Sequence, residues 1–376
     1  MNRLESPQAI AAVDEILASV GLGHGRRKTL AGSWQNGERR PRSKHPVVSS
    51  AQAAPASSAH RAEPVRAAEW RSYAWLRHGF STRAGGVSSV YGCGGNDSTA
   101  TGALNLAWSE QDDPANVGEN RRRFLAELFG IKASDATPSI THDERLITVR
   151  QIHSNLIRII EAEEVANPLR LHTADGRAVL RGDGLMTDVG GIVLGIQTAD
   201  CVPVLVADTR RRVVAAFHAG WRGTLGRIVE RGIGTMRLRY GSRPEDLIAA
   251  IGPAIGPCCY AVSEELRFDF ESQFAYAPKL FSEVSDSDPI HEKYPLLFLT
   301  ARAPGHSNIG PQIHLDLWDA NRRQLLDAGV PAKRITVIGE CTACTGAASS
   351  AGRKYFSHRA ESGFTGRMLS AIGVAE

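Results

Sequence analysis

No stretch of these 376 residues stays apolar for the ~18 positions that a membrane-crossing helix needs, so no helical span is expected. Charge of one sign is also scarce. Lys and Arg number 44 against 40 Asp and Glu, and the net of +4 does not suggest a nucleic-acid partner. Cysteine is too sparse, six in a chain this long, to act as a disulfide framework. No two histidines form a His-x-His pair, so the many-histidine cluster of a multicopper oxidase is missing. Internal repeats are absent too. What remains reads as a soluble globular protein, 42% hydrophobic and 22% charged with 37 glycines, long enough for a sizeable core.

The N-terminus differs from the rest. Residues 1–20 can form one short amphipathic helix through Ile10, Val13, Ile16, Leu17 and Val20. Residues 21–62 carry eight Lys or Arg against one acid, Glu38, among many Ser, Ala, Pro and Gly. Such a segment buries little apolar surface, and disorder is expected. Its Arg-rich character is that of a transit peptide, but Glu5, Asp14 and Glu15 oppose that reading. A basic, non-targeting extension over residues 1–66 is therefore expected, followed by one domain over 67–376.

Three residues carry the strongest chemical signal. His153, Cys201 and His218 stand in VRQIHSN, TADCVPV and AAFHAGWRG. Two imidazoles and a thiolate suit zinc or copper, and three ligands leave a fourth position for water or substrate. They lie 48 and 17 residues apart, so the fold rather than a finger motif must assemble them. The runs 192–197, 202–208 and 213–217 are short, apolar and β-branched, and they predict buried strands. Cys201 falls between the first two, and His218 follows the third. Strands in one sheet are about 4.8 Å apart, close enough for groups at their ends to share a metal. The spacing of Leu225, Ile228, Val229, Ile233 and Met236 then predicts a helix stopped by Gly241. Its free N–H groups, just after HAGWRG, favour an anion such as phosphate. Strand–helix alternation from 192 to 251 indicates an α/β protein.

These words, together with HGFSTRAGGVS, NVGENRRRF, DGLMTD, GPAIGPCCYAV and YFSHRAESGFTGRM, resemble the YfiH-like laccase-domain family over roughly residues 67–376. The resemblance implies a layered sandwich of mixed β-sheets flanked by helices. It also implies a catalytic zinc held by His153, Cys201 and His218. The implied reaction is phosphorolysis of purine nucleosides. Adenosine, inosine or methylthioadenosine and phosphate give free base and a ribose 1-phosphate, with adenosine deamination alongside. Purine nucleoside and phosphate are thus the expected partners, with no nucleic acid and no membrane. A thiolate ligand suits a reducing compartment, and the cytoplasm is the expected location.

Around the ligands, Arg83 precedes two glycines and suits bidentate phosphate contact, unless it pairs with a buried carboxylate. Arg222 is a similar candidate. Asp183 and Asp200 are candidates for orienting a metal histidine or donating a proton, although Asp183 would also serve as a turn cap. Gln151 would share a face with His153 in a strand and line the same pocket. Two other readings stand beside phosphorolysis. One is copper-dependent polyphenol oxidation, with Met186 as the one nearby methionine. The other is a non-catalytic partner-binding module. The pair Cys258–Cys259 and the C-x₂-C of Cys341 and Cys344 together offer four sulfurs, but vicinal cysteines rarely act as a ligand pair, so packing is expected. Residues 279–313 form an elaborated, turn-rich loop. His291, His306 and His314, in or beside it, are expected at the surface.

Overall fold

The computed structural model describes residues 61–91, 102–130, 145–284, 312–349 and 352–375, all within one compact unit, Ala56–Glu376. The expected N-terminal helix and basic tail up to residue 60, Cys93, His291, His306 and most of the 279–313 loop lie outside the described residues. In chain order the strands are β1 (Leu76–Phe80), β2 (Leu146–Thr148), β3 (Ile157–Ile159), β4 (Gly184–Thr187), β5 (Val193–Thr198), β6 (Val202–Asp208), β7 (Val214–Ala219), β8 (Leu247–Ile251), β9 (Ala261–Val262), β10 (Phe281–Val284), β11 (Gln312–Leu315), β12 (Ile335–Val337) and β13 (Met368–Val374). A six-stranded sheet runs β12-β8-β6-β7-β4-β3, a four-stranded sheet β1-β13-β5-β2, and a small sheet β10-β11-β9. The four pairings along β1-β13-β5 and β6-β7-β4 are antiparallel, whereas β2 pairs with β5 in parallel.

The two larger sheets stack, and the strand period of two explains how. Leu205, Ala207, Val214, Ala216, Ile248 and Ala250 face Leu194, Ile196 and Ile372 of the four-stranded sheet. Their alternate neighbours Val204, Val206, Ala215, Phe217, Ala249 and Ile251 face the helices Ile228–Tyr240 and Leu317–Asp327. On the far side, Leu146, Val193, Leu369 and Ala371 meet Phe124, Leu125 and Leu128 of the helix Pro114–Phe129. That helix begins at Asp113, whose carboxylate accepts Ala115 N–H at 2.9 Å, and ends at Gly130 with φ 70°. The result is helix, sheet, sheet, helix: the expected mixed α/β sandwich. Strand β6 is buried at every residue because both its faces are covered.

Four expectations need adjustment. The strands flanking Cys201 do not share a sheet: β5 belongs to the four-stranded sheet and β6 to the six-stranded one, so residues 199–201 are a crossing between layers. The single helix expected after HAGWRG is two pieces, Trp221–Leu225 and Ile228–Tyr240. They are separated by Gly226 and by Arg227 in the left-handed region at φ 56°. The folded body starts before the boundary expected at residue 67, since Val65 exchanges backbone hydrogen bonds with Phe80, each 2.9 Å, and Ala62 is buried. His314 is buried in β11, with Nδ1 2.5 Å from the Pro257 carbonyl oxygen.

Gly232 and Gly234 give a paired test of this packing. A Cβ on Gly232 would lie 2.2 Å from Cζ of the fully buried Phe217, whereas Gly234 has open space. Gly234→Ala should stabilise the helix by about 1 kcal/mol. Gly232→Ala should invert that sign and cost about 1–3 kcal/mol by overpacking. Denaturant midpoints of the two variants check both signs.

Candidate metal centre

The site is built where the two stacked sheets exchange chain. Cys201 ends the crossing from β5 and directly precedes β6; His218 is the penultimate residue of β7, in register with Pro203 of β6. His153 comes from the loop between β2 and β3. The ligating atoms of His153, Cys201 and His218 all lie within 4.8 Å of one another. The two imidazole rings meet edge to face, centroids 4.9 Å apart. His218 is buried, Cys201 partly so, and His153 is exposed, which leaves one side of the group open.

Asp183 organises this arrangement. Its fully buried carboxylate accepts Nδ1–H of His218 at 2.8 Å. It also accepts backbone N–H groups of Ile152 at 3.2 Å, His153 at 3.0 Å and Ser154 at 2.6 Å, and the Ser154 hydroxyl at 2.7 Å. Its own carbonyl accepts His218 N–H at 2.7 Å. The wrapping of three successive N–H groups on one anion holds His153 at φ 56°, a conformation that costs free energy in isolation. Burial disfavours the Asp183 charge, but the hydrogen bonds from His218 and Ser154 outweigh it and hold the carboxyl at about 2. Asp183 is therefore an ionised positioning group. With Nδ1 engaged, His218 presents Nε2 to the centre, the tautomer a metal needs.

Asp200 plays the matching part beside Cys201. It has φ 91°, and its carboxylate accepts the Thr342 hydroxyl and the Arg359 N–H, both at 2.6 Å. Burial works against ionisation of Cys201, yet His218 and His153 bring its thiol down to about 6. The same pairing lifts His218, against burial, to about 9. A thiolate beside an imidazolium is a centre in which a proton holds the place of a cation. Gly220 keeps that place open, because a Cβ there would stand 2.8 Å from Cys201 Sγ. Donor chemistry, convergence and the oriented His218 thus all fit a zinc or copper ion.

The other expected residues divide. Arg222 is exposed, its guanidinium 4.3 Å from the Trp221 ring centroid. It belongs to the electrostatic neighbourhood of Tyr260, together with Cys201, Arg359 and Asp200; burial and the two anions push the Tyr260 hydroxyl up to about 12 against the opposing pull of the arginines. Arg83 takes the other of its two expected roles. It is buried, pairs with Glu361, donates to the Tyr91 carbonyl at 2.6 Å and lies 4.9 Å from the Phe356 ring centroid. Gln151 is likewise occupied. Its side-chain amide donates to the Gln197 carbonyl and its oxygen accepts Gln197 N–H, both at 2.8 Å, extending the sheet beyond β2. Arg359, Tyr260, Ser154 and Thr342 were not singled out from sequence. Each lies in or beside a motif word, but the roles depend on partners remote in the chain.

A family described as multi-copper polyphenol oxidoreductase laccase matches residues 77–375. Purine nucleoside phosphorylase YlmD of Geobacillus stearothermophilus is 34% identical over 303 residues, 80% of this chain and 95% of that protein. Adenosine deaminase RL5, from an unknown prokaryotic organism, is 33% identical over 246 residues, 65% of this chain and 79% of that protein. The crystal structure of YfiH from Bacillus licheniformis aligns with a TM-score of 0.61 at 28% identity, covering 81% of this chain and 94% of that one.

Asp183→Asn preserves shape but sets an amide where the anion gathers hydrogen-bond donors. Metal affinity should fall about 10–100-fold, as for loss of a group that orients a metal histidine. Competition with a chromophoric chelator reads the change; an unaltered affinity would contradict the orienting role.

Proposed function

The chain belongs to the multi-copper polyphenol oxidoreductase laccase family, and from that premise we propose that it is a zinc-dependent purine nucleoside phosphorylase. It converts adenosine, inosine or methylthioadenosine, with phosphate, into free base and a ribose 1-phosphate, and it also deaminates adenosine. The observation that carries this reading is the convergence of His153, Cys201 and His218 over the Asp183 carboxylate, in a chain 34% identical to a protein named as a purine nucleoside phosphorylase. Deamination takes its support from the relative named as an adenosine deaminase.

Bound there, zinc supplies Lewis acidity toward phosphate, ribose or water oxygens. Asp183 keeps the His218 imidazole in one tautomer and fixes the loop that carries His153. Asp200 holds the chain at Cys201. Arg222 and Arg359, both exposed beside Tyr260, provide positive charge for a phosphate, whereas the two terminal nitrogens of the buried Arg83 are taken by Glu361 and the Tyr91 carbonyl. Arg83 instead fixes the 357–365 loop through Glu361, which accepts Ser357 N–H at 3.1 Å. A thiolate ligand is maintained in a reducing compartment, and the proposal includes a cytoplasmic location.

Copper oxidation of phenols is the second reading, favoured by the family's description. His₂Cys holds copper as well as zinc. Met186, however, is fully buried in the core on the helix side of the six-stranded sheet, and it is not placed as an axial ligand.

The test is chromatographic detection of hypoxanthine and adenine from inosine and adenosine, with purified protein of known metal content. Release should require phosphate, and Cys201→Ala should lower it more than about 100-fold. Phosphate-independent release, or turnover of a phenol by copper-loaded protein with no base release, would overturn the proposal.

A further inference from the structure

A second group of potential ligands lies outside the centre just described. Cys258, Cys259, Cys341 and Cys344 bring their four sulfurs within 4.8 Å of one another, and none of them is in a disulfide. The packing expected from their sequence does not account for this, because Cys258 and Cys344 are exposed and only Cys341 is buried. The objection that neighbouring cysteines rarely converge is met by the local backbone. Cys258 and Cys259 sit in a turn in which Cys259 and Tyr260 both donate to the Gly256 carbonyl at 3.0 Å. In a turn, successive side chains are not thrown to opposite sides as they are in a strand.

From this geometry we infer that Cys258, Cys259, Cys341 and Cys344 form a closed, tetrahedral tetrathiolate site for a structural zinc ion, separate from the His153–Cys201–His218 centre. Two distances support it. A tetrahedron of ~2.3 Å zinc–sulfur bonds has edges of about 3.8 Å, and Cys258 Sγ lies 3.7 Å from Cys344 Sγ. The sulfur of Cys341 accepts Gly256 N–H at 3.3 Å and is also approached by the N–H groups of Ala343 and Cys344, the environment that stabilises a metal-bound thiolate. Each thiol releases its proton to solvent on binding. The two negative charges left on the zinc–tetrathiolate unit are offset in part by those N–H donors.

The site also has a structural task. Residues 341–349 are irregular turns with no helix or strand, and the apolar cluster beneath them contains only Ile255, Cys341 and Ala343 as buried members. A metal joining Cys258–Cys259 to Cys341–Cys344 holds that segment onto the 254–260 loop, to which it is otherwise tied by the Ala254–Cys341 bridge and the Thr342 N–H to Ala254 carbonyl bond at 3.0 Å. Two attachments reach the first centre. Thr342 bonds Asp200, next to Cys201, and Tyr260 directly follows Cys259.

Elemental analysis of the full-length chain, purified under reducing conditions with zinc, tests the assignment. Wild-type protein should carry about two equivalents. Cys201→Ala should keep about one, and cobalt substituted into that variant should give the ligand-field and sulfur charge-transfer spectrum of a tetrathiolate site. Cys258→Ser/Cys344→Ser, which alters only the two exposed positions, should lose that signature. Cys201→Ala protein that retains no metal, a cobalt spectrum without four sulfurs, or non-reducing mass spectra showing these cysteines paired in disulfides would each overturn the assignment. The Cys201→Ala spectrum decides the question even where the double variant fails to fold.

Discussion

One buried carboxylate sets the geometry on which the candidate centre depends. Asp183 is removed from water and must find compensation for its charge. It does so by collecting the donors of the QIHS loop and the imidazole of His218. Those interactions orient His218 and place His153, whose unfavourable backbone conformation they stabilise. The charge that would be a liability in an apolar core becomes the reason why a loop and a strand end meet at a defined distance.

The sandwich supplies the second constraint. Strands β5 and β6 are consecutive but lie in different layers, so the chain must turn sharply between them. Asp200, at φ 91°, takes that turn, and Thr342 and Arg359 clamp it from segments 142 and 159 residues away. Cys201 is thereby delivered to the rim of the six-stranded sheet, where His218 already stands. The apolar alternation that stacks the sheets and the polar clamps that shape the crossing are two parts of one design: packing brings the layers together, and hydrogen bonds direct what emerges between them.

The features legible in the sequence were those governed by local rules. The runs around 193–198, 202–208 and 214–219 are strands because they are β-branched, apolar and bounded by turns; β6 and β7, buried on both faces, carry no alternation from which their register could be read. His153, Cys201 and His218 were recognisable by donor type and neighbouring words. What escaped was set by distant partners. Nothing near Arg83 says that its guanidinium is taken by Glu361, 278 residues on. Nothing near Gln151 says that its amide will imitate a strand against Gln197. The break at Gly226 and Arg227 defeated a helical periodicity that continues across it in sequence. The four cysteines looked unsuitable as a set because the turn at 256–260 is a property of the folded loop.

Strand β13 pairs on one side with β1 and on the other with β5. It therefore fills the middle of the four-stranded sheet, although it is the last strand in chain order. On a ribosome, β1 emerges first and waits through nearly all of the domain's synthesis before its partner appears. Long-range pairing of this kind folds slowly and leaves strand edges exposed in the interim. The loop that clamps Asp200 is translated just ahead of β13. Vectorial synthesis thus postpones sheet closure and the clamping of the Asp200 turn beside Cys201 to nearly the same moment, so a nascent chain passes most of its elongation without a finished candidate metal centre.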